Sequence, residues 1–223
     1  MQTHPYLYEE RRTVIQRDAF KEYEALCREI LWPGHKEHGG KVLCRLCGHM
    51  GEPAQDLRTL TAFPDFSSWQ AAQAVGLPDR LYDLVEEETV RLLRPITSRP
   101  KRPVPREDRR PLYGYRRFFI RHHDLDEVAD LSENGVWPRF ESHGCAVLGL
   151  WTPVAATDPQ EVILITGYHS LAHWEETRLS QARPEGFDPK LWESGREAAR
   201  SRQRLTLRSW VSMMRGRYVE GDD

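Results

Sequence analysis

The sequence predicts an α+β protein that is built from two tandem ferredoxin-like repeats. The first observation is an internal repeat: at an offset of 105 positions, residues 8–70 align with residues 113–175 without a gap, and 15 of the 63 pairs are identical. Ordinary composition would give about 6% identity by chance, or roughly four pairs. The second observation is that both copies show the order strand, helix, strand, strand, helix, strand, which is the order of a ferredoxin-like unit.

The first copy can be assigned element by element. It opens with the strand-like segment YLYEERRTVI, after which Asp18 can cap a helix whose apolar residues recur at a spacing of three to four up to Leu31. This helix is predicted to end at His38, since Gly39 can take the left-handed conformation that follows many helix ends. The remaining elements are strands over 41–47 and 57–63, a helix capped by Asp65, a further helical turn and a last strand.

The second copy repeats this order, and the whole chain divides accordingly. Its predicted elements are strands over 113–120, 146–151 and 162–168, a helix over 125–136 and a helix capped by Ser170. One face of each sheet is covered by its own helices and the other needs a partner sheet, which a tandem pair supplies within one chain. The predicted divisions are repeat 1 over 1–95, a stiff, solvated Pro- and Arg-rich linker over 96–110, repeat 2 over 111–215 and a tail over 216–223.

Composition excludes several classes of protein. The 39% of hydrophobic and 30% of charged residues are typical of a globular protein, and a net charge of -2 leaves no positive field for a nucleic-acid backbone. We therefore expect no nucleic-acid partner. No segment has the length and apolarity of a membrane span, and the N-terminus lacks the apolar region of a signal peptide, so we expect no membrane partner and a cytoplasmic location. Four cysteines are too few for a disulfide framework.

Short motifs in this order resemble the NIPSNAP family. They are YEERRT opening a strand, HGG at a helix end before KVL, YHSLAHWEE after a strand, and FDPKLWE before the last helix. The resemblance covers both copies, except the linker and the tail after about Met214. Arg11 and Arg116 match an arginine of the family's opening strand, whereas Glu10 and Tyr115 depart from its apolar position. The resemblance implies a dimeric α-β barrel formed within one chain and a small-molecule pocket, in a superfamily of cofactor-free monooxygenases, isomerases, cyclases and haem proteins.

Features that both copies share are explained best by folding. Trp-Pro followed by His-Gly at the same spacing occurs in each copy, with histidines at His38 and His143. An imidazole at a helix end can bond the free carbonyl groups and favours the negative end of the helix dipole. Trp32 and Trp137 are expected to wedge the last helical turn against a sheet. Roles for Trp137 in stacking on a ligand and for His143 in proton transfer remain open alternatives.

Differences between the copies point to chemistry. Cys44, Cys47 and His49 have the spacing C-x-x-C-x-H, but the two cysteines point to opposite faces of a strand and no second ligand pair follows. We therefore predict free thiols and no metal. Copy two is enriched in histidine, and His169 and His173 could serve as acid or base because an imidazole titrates near neutrality. Copy two also contains His122 and His123, which are not among the candidates for an acid or base.

The arginines of the opening strands differ in their partners. In copy one, an acid lies two residues before each arginine on the same face, Glu9 before Arg11 and Glu10 before Arg12. In copy two, Gly114 and Tyr115 stand in the place of these acids, while Arg116 and Arg117 remain. A buried guanidinium needs a partner, so these arginines must take an acid from elsewhere, such as Glu127 or Glu161, or bind the anion of a ligand.

We therefore expect an enzyme whose site lies in copy two. Its substrate is expected to be an anionic or polyketide-like organic molecule of a biosynthetic pathway, converted by acid-base, isomerase, cyclase or cofactor-free oxygenase-type chemistry. The segment RLSQARPEGFDPKLWE could form a lid. The alternatives are a non-catalytic small-molecule or haem-binding module and a protein-interaction scaffold, and a homodimer is compatible with the fold. The candidates are Tyr115, His143, His169 and His173 for proton transfer, and Arg116, Arg117, Trp137 and Trp174 for substrate binding.

Overall fold

The computed structural model describes residues 7–74, 76, 79–100, 104, 106–155 and 158–218. Its strands are β1 Leu7–Ile15, β2 Lys41–Met50, β3 Asp56–Phe63, β4 Val85–Pro95, β5 Leu112–Ile120, β6 Ala146–Pro153, β7 Gln160–Tyr168 and β8 Thr206–Gly216. Its helices are α1 Phe20–Leu26, α2 Trp32–Glu37, α3 Phe66–Gln73, α4 Asp79–Tyr82, α5 Leu125–Asp130, α6 Trp137–Ser142, α7 Leu171–Glu176 and α8 Pro189–Leu205. The π-helical turns Cys27–Leu31 and Leu131–Val136 join α1 to α2 and α5 to α6.

The strands form one closed barrel in which each half is a ferredoxin-like sheet. The order around the barrel is β1-β3-β2-β8-β5-β7-β6-β4, and neighbouring strands are antiparallel. The strand register repeats as well: Arg11 lies opposite Thr59 in repeat 1, and Arg116 lies opposite Leu164 in repeat 2, at the same offset of 105 positions. The fold class predicted from the sequence, two ferredoxin-like repeats that form one barrel, is therefore confirmed.

Apolar side chains fill the barrel and the space under the helices. Inside the barrel, Tyr8, Leu60, Tyr113 and Trp151 belong to one buried cluster. A second cluster lies between the sheet of repeat 2 and its helices, and a smaller one lies at the corresponding place in repeat 1. Because side chains alternate along a strand, every second residue of β1 and β5 points into the barrel and the others point toward the helices.

Most of the predicted helix ends are confirmed. Asp65 accepts a hydrogen bond from the backbone N–H of Ser68 at 2.7 Å, and Ser170 accepts one from that of His173 at 3.0 Å. The first helices of the two repeats end at His38 and His143, each followed by a glycine with positive φ. The prediction that Asp18 caps α1 is wrong. Asp18 has a φ of 70°, and Ala19 is the cap residue without a side-chain hydrogen bond, because the chain makes a left-handed turn there.

Part of the predicted linker packs against the rest of the chain, which the prediction of a solvated segment did not include. Ile96 is buried in the apolar cluster under the helices of repeat 2, and Val104 is buried with the residues of the barrel interior. The backbone N–H of Ser98 also donates to Glu133 at 3.1 Å. Residues 101–103 and 105 lie outside the described part of the chain. The apolar residues between the arginines and prolines decide the path of this segment, because they can be buried against repeat 2.

Two expectations from the composition concern cysteines and membrane spans. All four cysteines are free and buried, as predicted for Cys44 and Cys47. Within the described ranges, none of the helices combines the length and the apolar character that a membrane crossing needs.

Candidate functional site

A cavity of about 380 Å³ lies between the sheet of repeat 2 and its helices. Strands β5, β7 and β8 form its floor, and α6, α7, α8 and the start of the segment after α7 form its walls. Small-molecule sites in proteins commonly have volumes of roughly 300–1,000 Å³. The cavity is lined by Arg116, Phe118, Arg139, Phe140, Leu164, Tyr168, Trp174, Thr177, Arg178, Leu179, Ser180, Ala199, Arg202, Gln203, Thr206 and Ser209.

Four arginines face this cavity, and its lining contains no aspartate or glutamate. They come from different elements: Arg116 from β5, Arg139 from α6, Arg178 from the turn after α7, and Arg202 from α8. Among the described residues, none of the four forms an ion pair with a carboxylate. Arg139 donates to the carbonyl of Thr177 at 3.1 Å, and Arg202 donates to the hydroxyl of Ser132 at 3.1 Å, both of which are neutral acceptors.

Burial and the neighbouring positive charges affect the titration of these arginines. Burial, together with the positive charge of Arg116, lowers the pKa of Arg202 to about 10. Burial also lowers the pKa of Arg116, with a contribution from Arg178, and that of Arg139. All of these groups remain cationic near neutral pH. Concentrated positive charge without internal acids is the electrostatic arrangement of an anion-binding site.

Two of the aromatic residues that line the cavity carry a polar group, the hydroxyl of Tyr168 and the indole N–H of Trp174. Burial raises the pKa of the Tyr168 phenol, while the charges of Arg116 and Arg202 act in the opposite direction. Tyr168 is therefore a neutral hydroxyl close to two guanidinium groups. Arg178 lies over the ring of Trp174, with its Cζ atom 4.9 Å from the ring centre. The arrangement can bind a negative group through N–H and O–H donors and an apolar body through the rings.

The corresponding region of repeat 1 is closed by internal acids. Arg11 donates to Glu9 at 3.0 Å and to Glu88 at 2.7 Å, which confirms the predicted pair of Glu9 and Arg11. Although burial lowers the pKa of Arg11, these two carboxylates raise it overall. The voids beside Arg11 have volumes of about 40 and 150 Å³. In repeat 2, Gly114 and Ser209 stand in the strand positions that correspond to Glu9 and Glu88.

Two predicted site residues, Tyr115 and Arg117, lie inside the barrel and away from the cavity. Tyr115 is 2% exposed, and its hydroxyl donates a hydrogen bond to Glu10. Arg117 donates to Glu161 at 2.6 Å, which is one of the acids that the sequence analysis considered. Arg91 joins the two groups, since it donates to Glu10 and contacts Glu161 at 3.0 Å. The structure thus gives Tyr115 and Arg117 partners within the chain.

The predicted pair of Glu10 and Arg12 is wrong. Both side chains point into the barrel, but Glu10 accepts from Arg91 and Tyr115, whereas Arg12 donates to Asp56 at 2.7 Å. Asp56 and Arg91 come from the two strands beside β1, whereas Tyr115 comes from β5 across the barrel. In a closed barrel, side chains from several strands meet in the interior. A spacing of two residues along one strand therefore does not determine which charges pair.

The three candidate histidines form a stack beyond the cavity wall. The ring of His173 lies between those of His143 and His169, with ring centres 5.3 and 5.1 Å apart. Both ring nitrogens of His173 are engaged: Nδ1 accepts from the backbone N–H of His169 at 3.1 Å, and Nε2 lies 2.8 Å from the carbonyl oxygen of His143. Burial lowers the pKa of His173. This geometry describes a neutral imidazole that holds two loops together, and the cavity lining does not include the three histidines.

The two candidate tryptophans occupy different places. Trp137 is 1% exposed and belongs to the apolar cluster under the helices, as its expected role in folding requires. Trp174 lines the cavity together with Arg116. The predicted lid segment also contributes, because its first three residues, 178–180, line the cavity. The structure thus brings two of the eight proposed site residues, Arg116 and Trp174, to the cavity.

The comparison of the repeats contained a signal for three further lining residues. Arg139, Tyr168 and Arg178 stand where repeat 1 has a glycine, a phenylalanine and a glutamine. Two of these changes introduce a positive charge that can bind an anion, and the third introduces a hydroxyl that can donate a proton. Arg178 lies three positions beyond the aligned range 113–175 at the same offset, whereas Arg202 lies far beyond it, so only the packing of α8 onto the sheet identifies Arg202.

The cavity does not fit a haem group. A haem iron needs an axial His, Cys or Tyr that faces a flat apolar slot. Of these residue types the lining contains Tyr168 alone, and the walls carry four arginines instead of a flat apolar surface. The nearest histidine, His173, uses both ring nitrogens in the contacts described above.

Comparison with known proteins identifies the fold. A scan against protein-family models finds no match, and neither does a search of curated proteins. Among solved structures, a proposed monooxygenase from Lactobacillus acidophilus NCFM is 11% identical, with a TM-score of 0.65, and the match covers 96% of this chain and 94% of that chain. The chain has the dimeric α-β barrel fold.

Other solved structures match over different lengths of the chain. An anthrone oxidase-like protein is 11% identical, with a TM-score of 0.57, and the match covers 96% of this chain and 92% of that chain. A NIPSNAP family protein from Agrobacterium tumefaciens strain C58 is 22% identical, with a TM-score of 0.35, over 43% of this chain and 90% of that chain. The dimeric α-β barrel that the NIPSNAP-like motifs imply is confirmed by the structures that match over most of the chain. At these identities the likeness shows the fold and does not establish a reaction.

Proposed function

We propose that the protein binds a small organic anion in the cavity of repeat 2. The observation that carries this proposal is that four arginines face one cavity whose lining contains no acid. Burying a guanidinium without a negative partner costs free energy, and a bound anion offsets this cost through charge-assisted hydrogen bonds. The neutral partners of Arg139 and Arg202 satisfy hydrogen bonds without supplying that negative charge.

The body of the ligand is proposed to be apolar and planar. Phe118, Phe140 and Trp174 provide aromatic surface in the same cavity. Aromatic side chains stack favourably on flat rings, so an aromatic or polyketide-like acid matches both the charge and the walls of the cavity. This agrees with the substrate class expected from the sequence.

Calorimetric titration with matched pairs of acid and amide tests this proposal. We expect 2-naphthoate to bind and 2-naphthamide, which lacks the charge, to bind more weakly. Arg116→Met and Arg202→Met should each weaken naphthoate binding roughly ten- to a hundredfold, since a hydrogen bond to a charged group contributes about 1.5–3 kcal/mol. Arg117→Met is the matched control, because Arg117 lies on the same strand but points into the barrel. Equal binding of the acid and the amide, or equal loss in the control, would contradict the proposal.

We also propose that the bound anion is a substrate, as in isomerase, cyclase or cofactor-free oxygenase-type chemistry. Tyr168 supports this second step, because it is a neutral phenol that lines the same cavity as Arg116 and Arg202. Such a hydroxyl can donate a hydrogen bond to an oxyanion that develops on the substrate, and the positive charges of Arg116 and Arg202, which line the same cavity, favour that negative charge. The names of a proposed monooxygenase and an anthrone oxidase-like protein among the similar structures suggest oxygenation as the reaction to examine first.

Tyr168→Phe separates binding from turnover. Phenylalanine is the residue at the corresponding position of repeat 1, so the substitution should be tolerated. We expect the variant to bind the anion nearly as well as the parent protein, while oxygen consumption with an anthrone substrate falls about a hundredfold, as for the loss of one oxyanion donor. Turnover equal to that of the parent protein would contradict a catalytic role for Tyr168 and favour a non-catalytic binding protein.

A further inference from the structure

Repeat 1 holds a buried carboxylate at the place where repeat 2 has its cavity. Glu9 is 1% exposed, and one of its oxygens accepts from Nε of Arg11 at 3.0 Å. The other oxygen accepts from Nε1 of Trp69 and from Nε2 of Gln73, both at 2.8 Å. The donors come from β1 and from two positions one turn apart on α3. Repeat 1 therefore shows how this part of the fold binds a carboxylate.

Repeat 2 keeps equivalents of these donors but lacks the carboxylate. At the offset of 105 positions, the equivalents of the three donors are Arg116, Trp174 and Arg178. All three line the cavity. Their side chains donate no hydrogen bond to any residue that the structure describes. Gly114 stands in the place of Glu9, so the donor set is present and its acceptor is absent.

The equivalence of these positions rests on structure as well as on sequence. The strand register and the capped helix starts at Asp65 and Ser170 follow the same offset in both repeats. Trp69 and Trp174 are each four residues after these caps. Because these strand and helix positions repeat, Arg116 and Trp174 approach the same region of space as Arg11 and Trp69. Gln73 is the last residue of α3, whereas Arg178 lies in the turn after α7, but Arg178 lines the same cavity as Arg116 and Trp174.

We propose that a carboxylate of the ligand binds between Arg116, Trp174 and Arg178, in the place that the Glu9 carboxylate occupies in repeat 1. This inference rests on the proposed function and names the acid group and its three partners. A carboxylate has two coplanar oxygens, so one can accept from a guanidinium and the other from the indole N–H, as Glu9 does. Arg178 in place of Gln73 adds a positive charge, which strengthens the attraction for an anion at this place.

Gly114→Glu tests the proposal by returning the carboxylate to the chain. The probe is benzoate, titrated by calorimetry. We expect Gly114→Glu to weaken benzoate binding at least tenfold, because the new side chain takes the donors. Gly114→Ala is the control for added bulk, since a Cβ there would lie 3.3 Å from the Tyr168 ring, and we expect it to retain binding within about threefold. Equal effects of both substitutions would overturn the proposal.

A rescue experiment tests the same arrangement in repeat 1 without any ligand of repeat 2. In an Arg116→Met background, Glu9→Gly should expose the donor set of Arg11, Trp69 and Gln73. We expect formate to raise the melting temperature of this double variant more than chloride at equal ionic strength, and not to raise that of Arg116→Met alone. Absence of this formate effect would overturn the idea that these donors form a carboxylate site.

The two proposals fail in different ways. Suppose that benzoate binds the parent protein and that Arg202→Met weakens this binding, whereas Gly114→Glu and Arg178→Gln do not. The anion site is then supported, and the proposed position of the carboxylate is wrong. If benzoate binds the parent protein and Arg116→Met equally, the anion site itself is wrong. The formate experiment is independent of that second result, because it concerns repeat 1.

Discussion

Tyr115 donates a hydrogen bond to Glu10, and the two residues occupy the same position in the two repeats. Equivalent residues of two related units can touch only near the axis that relates the units, so this contact marks the centre of the barrel. Arg91 also donates to Glu10, and the guanidinium of Arg58 lies 4.5 Å from the centre of the Tyr115 ring. Repeat 2 thus has Tyr115 at the position where repeat 1 has the acid Glu10, and the Tyr115 hydroxyl donates a hydrogen bond to that acid.

Tyr115→Phe should destabilise the protein and leave ligand binding unchanged. The substitution removes one donor to the buried Glu10 carboxylate, and the loss of a hydrogen bond to a charged buried group costs about 1.5–3 kcal/mol. Urea denaturation measures this change, and titration with naphthoate provides the second readout. A large loss of binding at unchanged stability would return Tyr115 to the functional site.

Arg11→Met should destabilise the protein, whereas Arg116→Met should not. Arg11→Met leaves the buried Glu9 carboxylate without its charged partner, and breaking a buried ion pair costs about 3–5 kcal/mol. Arg116→Met removes a partly buried charge that has no acidic partner among the described residues, so its stability without ligand should stay equal or rise by about 1 kcal/mol. Thermal denaturation of both variants checks this difference. A loss of several kcal/mol in Arg116→Met would show that Arg116 has a structural partner.

His35 should make the stability of the protein depend on pH between about 6.5 and 4. The pKa of His35 is lowered from 6.5 to about 4, mainly by burial, with Glu9 opposing the shift and the charges of Arg11 and Arg45 contributing to it. As the pH falls through this range, His35 takes up a proton in the unfolded chain before it does so in the folded protein. The free energy of unfolding therefore decreases between pH 6.5 and pH 4, by roughly 1.4 kcal/mol per pH unit.

His35→Phe is the variant that isolates this effect, because repeat 2 has Phe140 at the corresponding position. Other groups also titrate in this range, so the measurement is the difference in unfolding free energy between parent and variant at several pH values. We expect the difference to shift in favour of the variant by about 3 kcal/mol between pH 7 and pH 4. A constant difference would show that His35 is not buried in its neutral form.

Gly135→Ala should disturb the contact between the first and last helices of repeat 2. A Cβ at Gly135 would lie 2.3 Å from the Cβ of Ala198 on α8, and neither atom can move without its backbone. Overpacking of this kind typically costs about 1–3 kcal/mol, and it would displace the helix that carries Arg202. Gly76→Ala is the control, since a Cβ there meets no atom within 4 Å. Equal melting temperatures of the two variants would contradict the prediction.

The sequence alone determined the architecture and the half of the molecule in which to look for a site. Repeated patterns of strands, caps and helix ends are local properties, so the gapless offset of 105 positions was sufficient to predict two equivalent units. The replacement of Glu9 by Gly114 beside a retained arginine was also visible without coordinates. It pointed to Arg116, which lines the cavity.

Tertiary structure decided which charges meet and where the open space lies. Arg12 pairs with Asp56 and Arg117 pairs with Glu161, because strands that are distant in sequence bring these groups together inside the barrel. The stack of His143, His169 and His173, which resembled a set of free acid-base groups in the sequence, is held by backbone contacts of two loops. Arg202 joins the cavity through the packing of α8. Local patterns specify the direction of a side chain from its strand or helix, whereas its neighbours depend on how those elements are assembled.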